Sequence, residues 1–250
     1  MSVKHSLKRL IFPPHCAACR QLLPFDGAGG EVFLCRACRG AFEAKKLETC
    51  PVCGASFVDC RCMPEALSEA DCVALVKLVP YDPQELRGVI NKLINNCKRY
   101  RNRDMFDFLA RQLCVGIERV LSEQGVVRQD AVVTFCPRGR RRRREYGFDQ
   151  AQLLASYIAY NGGYEMATLL TRKRGPGLKS QKSLGGEARV ANAGRSLALA
   201  EGIEVAGKTV ILVDDVVTSG ATMKACLSLL REAGADSVIG VSIAEAVRDK

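Results

Sequence analysis

Val210-Ile211-Leu212-Val213-Asp214-Asp215-Val216-Val217-Thr218-Ser219-Gly220-Ala221-Thr222 joins an aliphatic run, two adjacent carboxylates and a loop of small residues. Successive aliphatics without polar alternation read as a strand buried on both faces, the habit of a parallel sheet covered by helices. The fold class expected is therefore α/β. The acids then fall at the carboxyl end of that strand, where open α/β sheets bind ligands. Met223 to Glu232 has helical composition, so the loop would aim backbone N–H groups and a helix N-terminus at one point, which attracts phosphate. Gly220 lets the backbone come close, and the hydroxyls of Thr218, Ser219 and Thr222 add donors. Asp214 and Asp215 repel phosphate but accept hydrogen bonds from sugar hydroxyls. Together these features describe a place to hold a sugar phosphate.

The segment closely resembles the phosphoribosyl pyrophosphate (PRPP) motif of type I phosphoribosyltransferases. The resemblance implies that Asp214 and Asp215 hold the ribose 2- and 3-hydroxyls, while Val216, Val217, Thr218, Ser219, Gly220, Ala221 and Thr222 wrap the 5-phosphate. It also implies a mostly parallel sheet flanked by helices, and Mg2+ bridging pyrophosphate and ribose oxygens with few protein ligands. Members of that family acting on 6-oxopurines carry an acidic base where this chain has Thr218, which disfavours purine salvage.

A chain of 250 residues can hold one sizeable α/β core plus a small module. Lys and Arg exceed Asp and Glu by 37 to 27, and the net charge of +10 points to anionic partners without choosing between phosphates and nucleic acid. Leu10 and Ile11 lie near Lys4, Lys8 and Arg9, but no apolar core of signal-peptide length follows and no run reaches membrane-spanning length. The expected location is cytoplasmic, without membrane insertion. Thirteen cysteines in such a chain read as metal ligands and buried thiols rather than disulfides.

The cysteines cluster as Cys16-x2-Cys19, Cys35-x2-Cys38, Cys50-x2-Cys53 and Cys60-x-Cys62. A two-residue spacer turns both sulfurs of a knuckle toward one ion, and two knuckles complete a closed zinc shell. Sequence proximity assigns Cys16, Cys19, Cys35 and Cys38 to one ion and Cys50, Cys53, Cys60 and Cys62 to the other; crossed pairing is the alternative. His15 is a substitute ligand or a bystander. Closed four-cysteine shells stabilise small folds, and residues 12–64 hold few large apolar groups for their length, with Phe12, Phe25, Phe33, Phe42 and Phe57 the main candidates, so two structural zinc ions would supply much of the folding energy. Cys72, Cys97, Cys114, Cys136 and Cys226 sit singly and read as core thiols.

Met63 to Asp71 marks a boundary between an amino-terminal double zinc-ribbon module over residues 1–66 and a larger domain over residues 70–250. A strand-like run covers Cys72 to Tyr81. Glu85 to Lys98 places Leu86, Val89, Ile90, Leu93, Ile94 and Cys97 at helical spacing, and a second helix is expected from Asp104 to Glu123. Between them Lys98, Arg99 and Arg101 form a basic link around Tyr100. Ala131 to Cys136 reads as another buried strand, ended by Pro137 and followed by Arg138, Gly139, Arg140, Arg141, Arg142, Arg143 and Arg144. Forked guanidinium donors suit phosphate, so Arg138 and the amides around Gly139 are expected at pyrophosphate. Arg140 to Arg144 would remain partly free for other anions.

Tyr146-Gly147-Phe148-Asp149-Gln150-Ala151-Gln152-Leu153-Leu154-Ala155 opens an amphipathic helix and resembles the Arg-Gly-Phe-Asn-Gln signature of the ComF family, departing from it at Tyr146 and Asp149. The layout of knuckles, basic link, helix and PRPP motif is similar to that family over nearly the whole chain. Leu169 to Arg172 should end a short strand, after which residues 173–186 are rich in Gly, Lys and Ser. The resemblance implies that this place holds a loop closing over PRPP, with Arg172, Lys179, Gln181, Lys182 and Arg189 among its polar positions.

The chemistry implied is displacement of Mg-bound pyrophosphate from ribose C1 by a nitrogen nucleophile, with Asp214, Asp215 and Arg138 as catalytic groups. Three functions fit these residues. One is a ComF-type PRPP-binding protein that handles single-stranded DNA with DNA-uptake proteins during natural transformation. Another is a metabolic phosphoribosyltransferase acting on a nitrogenous acceptor. The last is a PRPP-responsive regulator without catalysis.

Overall fold

A computed structural model describes residues 13–23, 33–139, 145, 147–173 and 197–246. Phe12, Phe25, Arg140 to Arg144, Tyr146, Lys179, Gln181, Lys182 and Arg189 lie outside the described residues. The chain begins with turns around the knuckles, then α1 (Arg36–Lys46), which buries Cys38 and Phe42 one turn apart. A one-turn helix, α2 (Glu65–Ser68), lies in the linker and buries Leu67.

The run from Cys72 to Tyr81 forms two short strands, β1 (Ala74–Val76) and β2 (Val79–Tyr81), instead of the single strand expected. The break falls at Lys77, whose buried ammonium donates to the Cys62 carbonyl and to the Glu245 carboxylate. Helix α3 (Val89–Arg99) starts later than its periodicity suggests, because Glu85 to Gly88 fold into turns. Leu86 is left 75% exposed, off the apolar face assigned to it. Helix α4 (Arg103–Glu123) is capped by the Asn102 side chain, which accepts from the Met105 N–H.

Strand β3 (Ala131–Phe135) precedes α5 (Gln150–Gly162), the short strands β4 (Glu165–Met166), β5 (Leu170–Arg172) and β6 (Leu197–Leu199), then β7 (Thr209–Val217), α6 (Ala221–Glu232) and β8 (Ser237–Ala246). The main sheet runs β1-β8-β7-β3-β4, with β2 also on β8. Its pairings are all parallel, and β5 and β6 make a separate antiparallel pair. The expectation of a mostly parallel sheet flanked by helices is met.

Two cores follow from strand alternation. On one face Ile211, Val213, Ile239 and Val241 pack with α4 and α5 side chains such as Phe106, Leu113, Leu154 and Ile158. On the other, Val210, Leu212 and Val238 pack with Met223, Cys226, Leu227 and Leu230 of α6. The lone cysteines Cys72, Cys97, Cys114, Cys136 and Cys226 are buried and free, as their apolar neighbours suggested.

The cysteine-bearing segment joins these cores rather than standing apart. Cys16, Phe33 and Phe42 belong to the α4 and α5 side, and the Asn96 amide donates to the carbonyls of Ala17 and Ala18 at 2.7 and 3.0 Å. Leu67 and Met63 belong to the α6 side.

Candidate functional site

Pairing in β7 continues past both acids to Val217, with Asp214 opposite Ser242, Val216 opposite Ala244 and Val217 opposite Glu245 of β8. The strand was expected to end at the acids, since Asp disfavours β structure. Its continuation has a chemical consequence, because neighbouring residues of a strand face opposite sides. Asp214 lines the hollow formed with residues 216–223 on the α6 side. Asp215 turns to the other side and is buried against Arg138 and Lys98.

Arg138 Nη2 lies 2.6 Å from Asp215 Oδ2, and Lys98 Nζ lies 3.8 Å from the same oxygen. Burial alone would raise the Asp215 carboxyl, but Arg138 and then Lys98 outweigh it and hold the group below its ordinary value. Asp214 has the opposite fate. Burial and the neighbouring Asp215 charge push its carboxyl well above the usual range. One of its oxygens accepts the Asp215 backbone N–H at 2.8 Å.

Arg138 is set in place by Asp149. Asp149 caps α5, accepting the Gln152 N–H at 3.3 Å with one carboxylate oxygen, and accepts the Arg138 N–H at 3.1 Å with the other. Thus the start of α5 is tied to the chain leaving β3. Gln150, fully buried, donates to the Lys98 carbonyl at 2.9 Å, and Arg172 Nε, at the end of β5, donates to the Pro137 carbonyl at 2.9 Å. The sequence marked Asp149 only as a departure from a signature and assigned Lys98 to a basic link. Their roles in the acid cluster depend on contacts 11 and 117 residues apart in the chain, which no local pattern encodes. Gly139 follows Arg138 at the edge of the cluster, half-buried and without a regular element.

The loop after β7 turns at Gly220, whose φ of +74° is left-handed and favours glycine. Helix α6 begins there without a side-chain cap at its first residue. Ser219 Oγ accepts the Ala221 N–H at 3.4 Å. A helix start with few protein partners for its N–H groups faces the same hollow as Asp214, and such a start favours an anion. Thr218 and Ser219 are exposed, and Thr222 is half-buried. Ser242, beside Asp214 in register, has a buried hydroxyl with no hydrogen-bond partner among the described residues; it drew no notice in the sequence because it sits in an apolar run.

The cysteines gather as sequence proximity suggested. Cys16, Cys19, Cys35 and Cys38 form one group, Cys50, Cys53, Cys60 and Cys62 the other, with all sulfurs of a group within 4.8 Å. Tetrahedral zinc with Zn–S bonds of about 2.3 Å requires sulfurs about 3.8 Å apart. Cys19 and Cys35 are 3.8 Å apart, Cys53 and Cys60 3.6 Å. Burial raises the Cys16 and Cys50 thiols, yet backbone N–H groups pointing at each sulfur prevail and bring both to about 7. Both quartets therefore fit zinc. His15 pairs by its backbone with Leu22 and belongs to neither group.

Of the basic link, Lys98 is half-buried beside Asp215, whereas Arg99 and Arg101 are exposed. Arg20, from the first knuckle, lies over the Tyr100 ring at 4.2 Å. Among the described residues no helix is long and apolar enough to cross a membrane.

Residues 149–249 match the family model described as phosphoribosyl transferase domain. The DNA utilization protein YhgH of Salmonella typhimurium is 27% identical over 232 residues, covering 92% of this chain and 96% of the relative. This likeness extends over nearly the whole length of both chains. YhgH of Escherichia coli K12 is 28% identical over 235 residues with the same coverage. Phosphoribosylpyrophosphate synthetase from Mycobacterium smegmatis superposes on 56% of this chain and 34% of its own, with a TM-score of 0.36 and 22% identity. The match to the phosphoribosyl transferase domain begins at Asp149, the residue that ties α5 to Arg138.

Proposed function

We propose that this protein binds PRPP at the carboxyl edge of β3 and β7 and acts in handling single-stranded DNA during DNA uptake, in the cytoplasm. The observation carrying the reading is the hollow shared by Asp214 and the loop into α6, where helix N–H groups await an anion beside a carboxylate able to hold a sugar hydroxyl. The relatives named DNA utilization proteins span nearly the whole chain and direct the reading toward DNA.

In this reading Thr218 to Thr222 receive the 5-phosphate and Asp214 a ribose hydroxyl. Asp215 acts from the far side of the strand, holding Arg138 and Lys98 by charge near the pyrophosphate position. Arg138 and Gly139 then meet pyrophosphate, and Arg172 stands beside them through Pro137. Mg2+ bound with PRPP would neutralise pyrophosphate charge. Two zinc ions, one in each cysteine quartet, hold a module over residues 1–66 against the domain over residues 70–250. Arg99, Arg101, the Tyr100 ring and the arginines after Gly139 offer backbone charge contacts and a stacking face to single strands.

Calorimetry with Mg-PRPP tests the site. Wild type binds, and Asp214→Asn binds at least about tenfold more weakly, as expected for loss of a charged partner to a hydroxyl. No heat from wild type overturns the reading. A single-strand gel shift at low salt that weakens steeply with added salt supports the DNA role; no shift at low salt removes it.

A further inference from the structure

We propose that the second cysteine centre positions the phosphate loop through the linker that leaves it. This rests on the reading of Thr218 to Thr222 as an anion site. The chain passes from Cys60 and Cys62 through Met63 directly into Pro64 and α2, so a metal that fixes those sulfurs fixes the start of the linker. Leu67 of α2 is fully buried on the α6 side.

The contact lands on the turn itself. A Cβ built on Gly220 would stand 3.1 Å from Leu67 Cγ and 3.3 Å from Pro64 Cβ. Gly220 is therefore favoured twice, by its left-handed backbone and by the linker, which a Cβ would crowd. Two ion pairs fasten the same joint. Glu69 holds Lys224 of α6 at 2.7 Å, and buried Lys77 donates both to the Cys62 carbonyl and to Glu245. Glu245 is the register partner of Val217, the residue before Thr218. The second centre thus grips the phosphate loop from the linker on one side and from β8 on the other.

The other face of the same module makes no such connection. Asp59 and Arg61 pair with Arg119 and Glu123 of α4, all largely exposed. Pro64 and Leu67 are positioning residues in this scheme, and the metal acts on the loop through them.

Amide hydrogen exchange on the full chain, with zinc content measured alongside, tests the coupling without any ligand. In Cys62→Ser, zinc content should fall by half, and exchange across residues 217–223 should rise about tenfold while α4 stays protected. Leu67→Ala should raise exchange in the same segment with both ions retained, and Leu67→Met should restore it. Arg119→Ala should leave the loop unchanged. An unchanged loop in both Cys62→Ser and Leu67→Ala overturns the proposal, as does a uniform rise over the whole molecule in Leu67→Ala. In parallel, Leu67→Ala should weaken Mg-PRPP binding several-fold. If wild type fails to bind Mg-PRPP, the ligand reading falls while the exchange result still decides the coupling.

Discussion

The two faces of β7 give neighbouring carboxylates opposite surroundings. On the α4 and α5 face, Asp215 has its charge matched at close range by Arg138 and Lys98. On the α6 face, Asp214 looks into the hollow beside the loop and has only a backbone N–H as its described partner. One carboxylate has its charge matched within the protein, and the other is costly to ionise. Adjacent acids in a motif need not do the same work, because strand pairing assigns them to different sides.

Removing the cation from the matched side should have the largest effect. Arg138→Ala leaves Asp215 buried with only Lys98 nearby, and a loss of about 3 kcal/mol is expected in urea unfolding at neutral pH, the scale of a broken buried pair. Replacing both partners by Met and Leu should return most of that loss. A cost for Arg138→Ala no greater than for Asp214→Asn would erase the contrast between the faces.

Asp149→Ala comes next. It removes the cap of α5 and the acceptor for the Arg138 N–H, so about 1–2 kcal/mol should be lost. Asp149→Asn keeps one acceptor and should cost less. Equal losses in both variants would show that charge near Arg138, rather than hydrogen bonding, is what Asp149 supplies.

The smallest effects are those of pH, and they have opposite signs. Asp215, with its folded value depressed, contributes stability that is present above the ordinary Asp value of about 3.9 and lost as pH falls through the lower folded value. Asp214, with its folded value raised, is least costly below about 3.9, and its penalty grows as pH rises toward the folded value. Relative to wild type, Asp214→Asn should therefore gain stability as pH rises from about 4, whereas Asp215→Asn should lose it as pH rises toward about 4 and stay level above that. Parallel pH profiles for the two variants would break the comparison.

Much of this was legible from residue patterns. The apolar runs at 131–135 and 210–213 lie in paired parallel strands, and the cysteine pairs met as their proximity suggested. Leu86 misled because helical periodicity continues into turns that precede Gly88, and a hydrophobic pattern does not mark where hydrogen bonding begins. The end of β7 misled in the other direction. Two adjacent Asp read as a strand ending, yet the β8 backbone supplies partners up to Val217 and overrides that local preference.

By itself the sequence determined the α/β class, the four cysteine pairs, the anion-seeking loop and the presence of two carboxylates beside it. These depend on spacing of a few residues and on intrinsic chemistry, which a chain carries wherever it folds. Only the tertiary structure decided that Asp215 turns to Arg138 and Lys98 while Asp214 turns to the loop, that Asp149 ties α5 to Arg138, and that Leu67 presses on Gly220. Those relations join residues distant along the chain, and they exist once burial brings the charges and apolar groups close enough for electrostatic and packing forces to act.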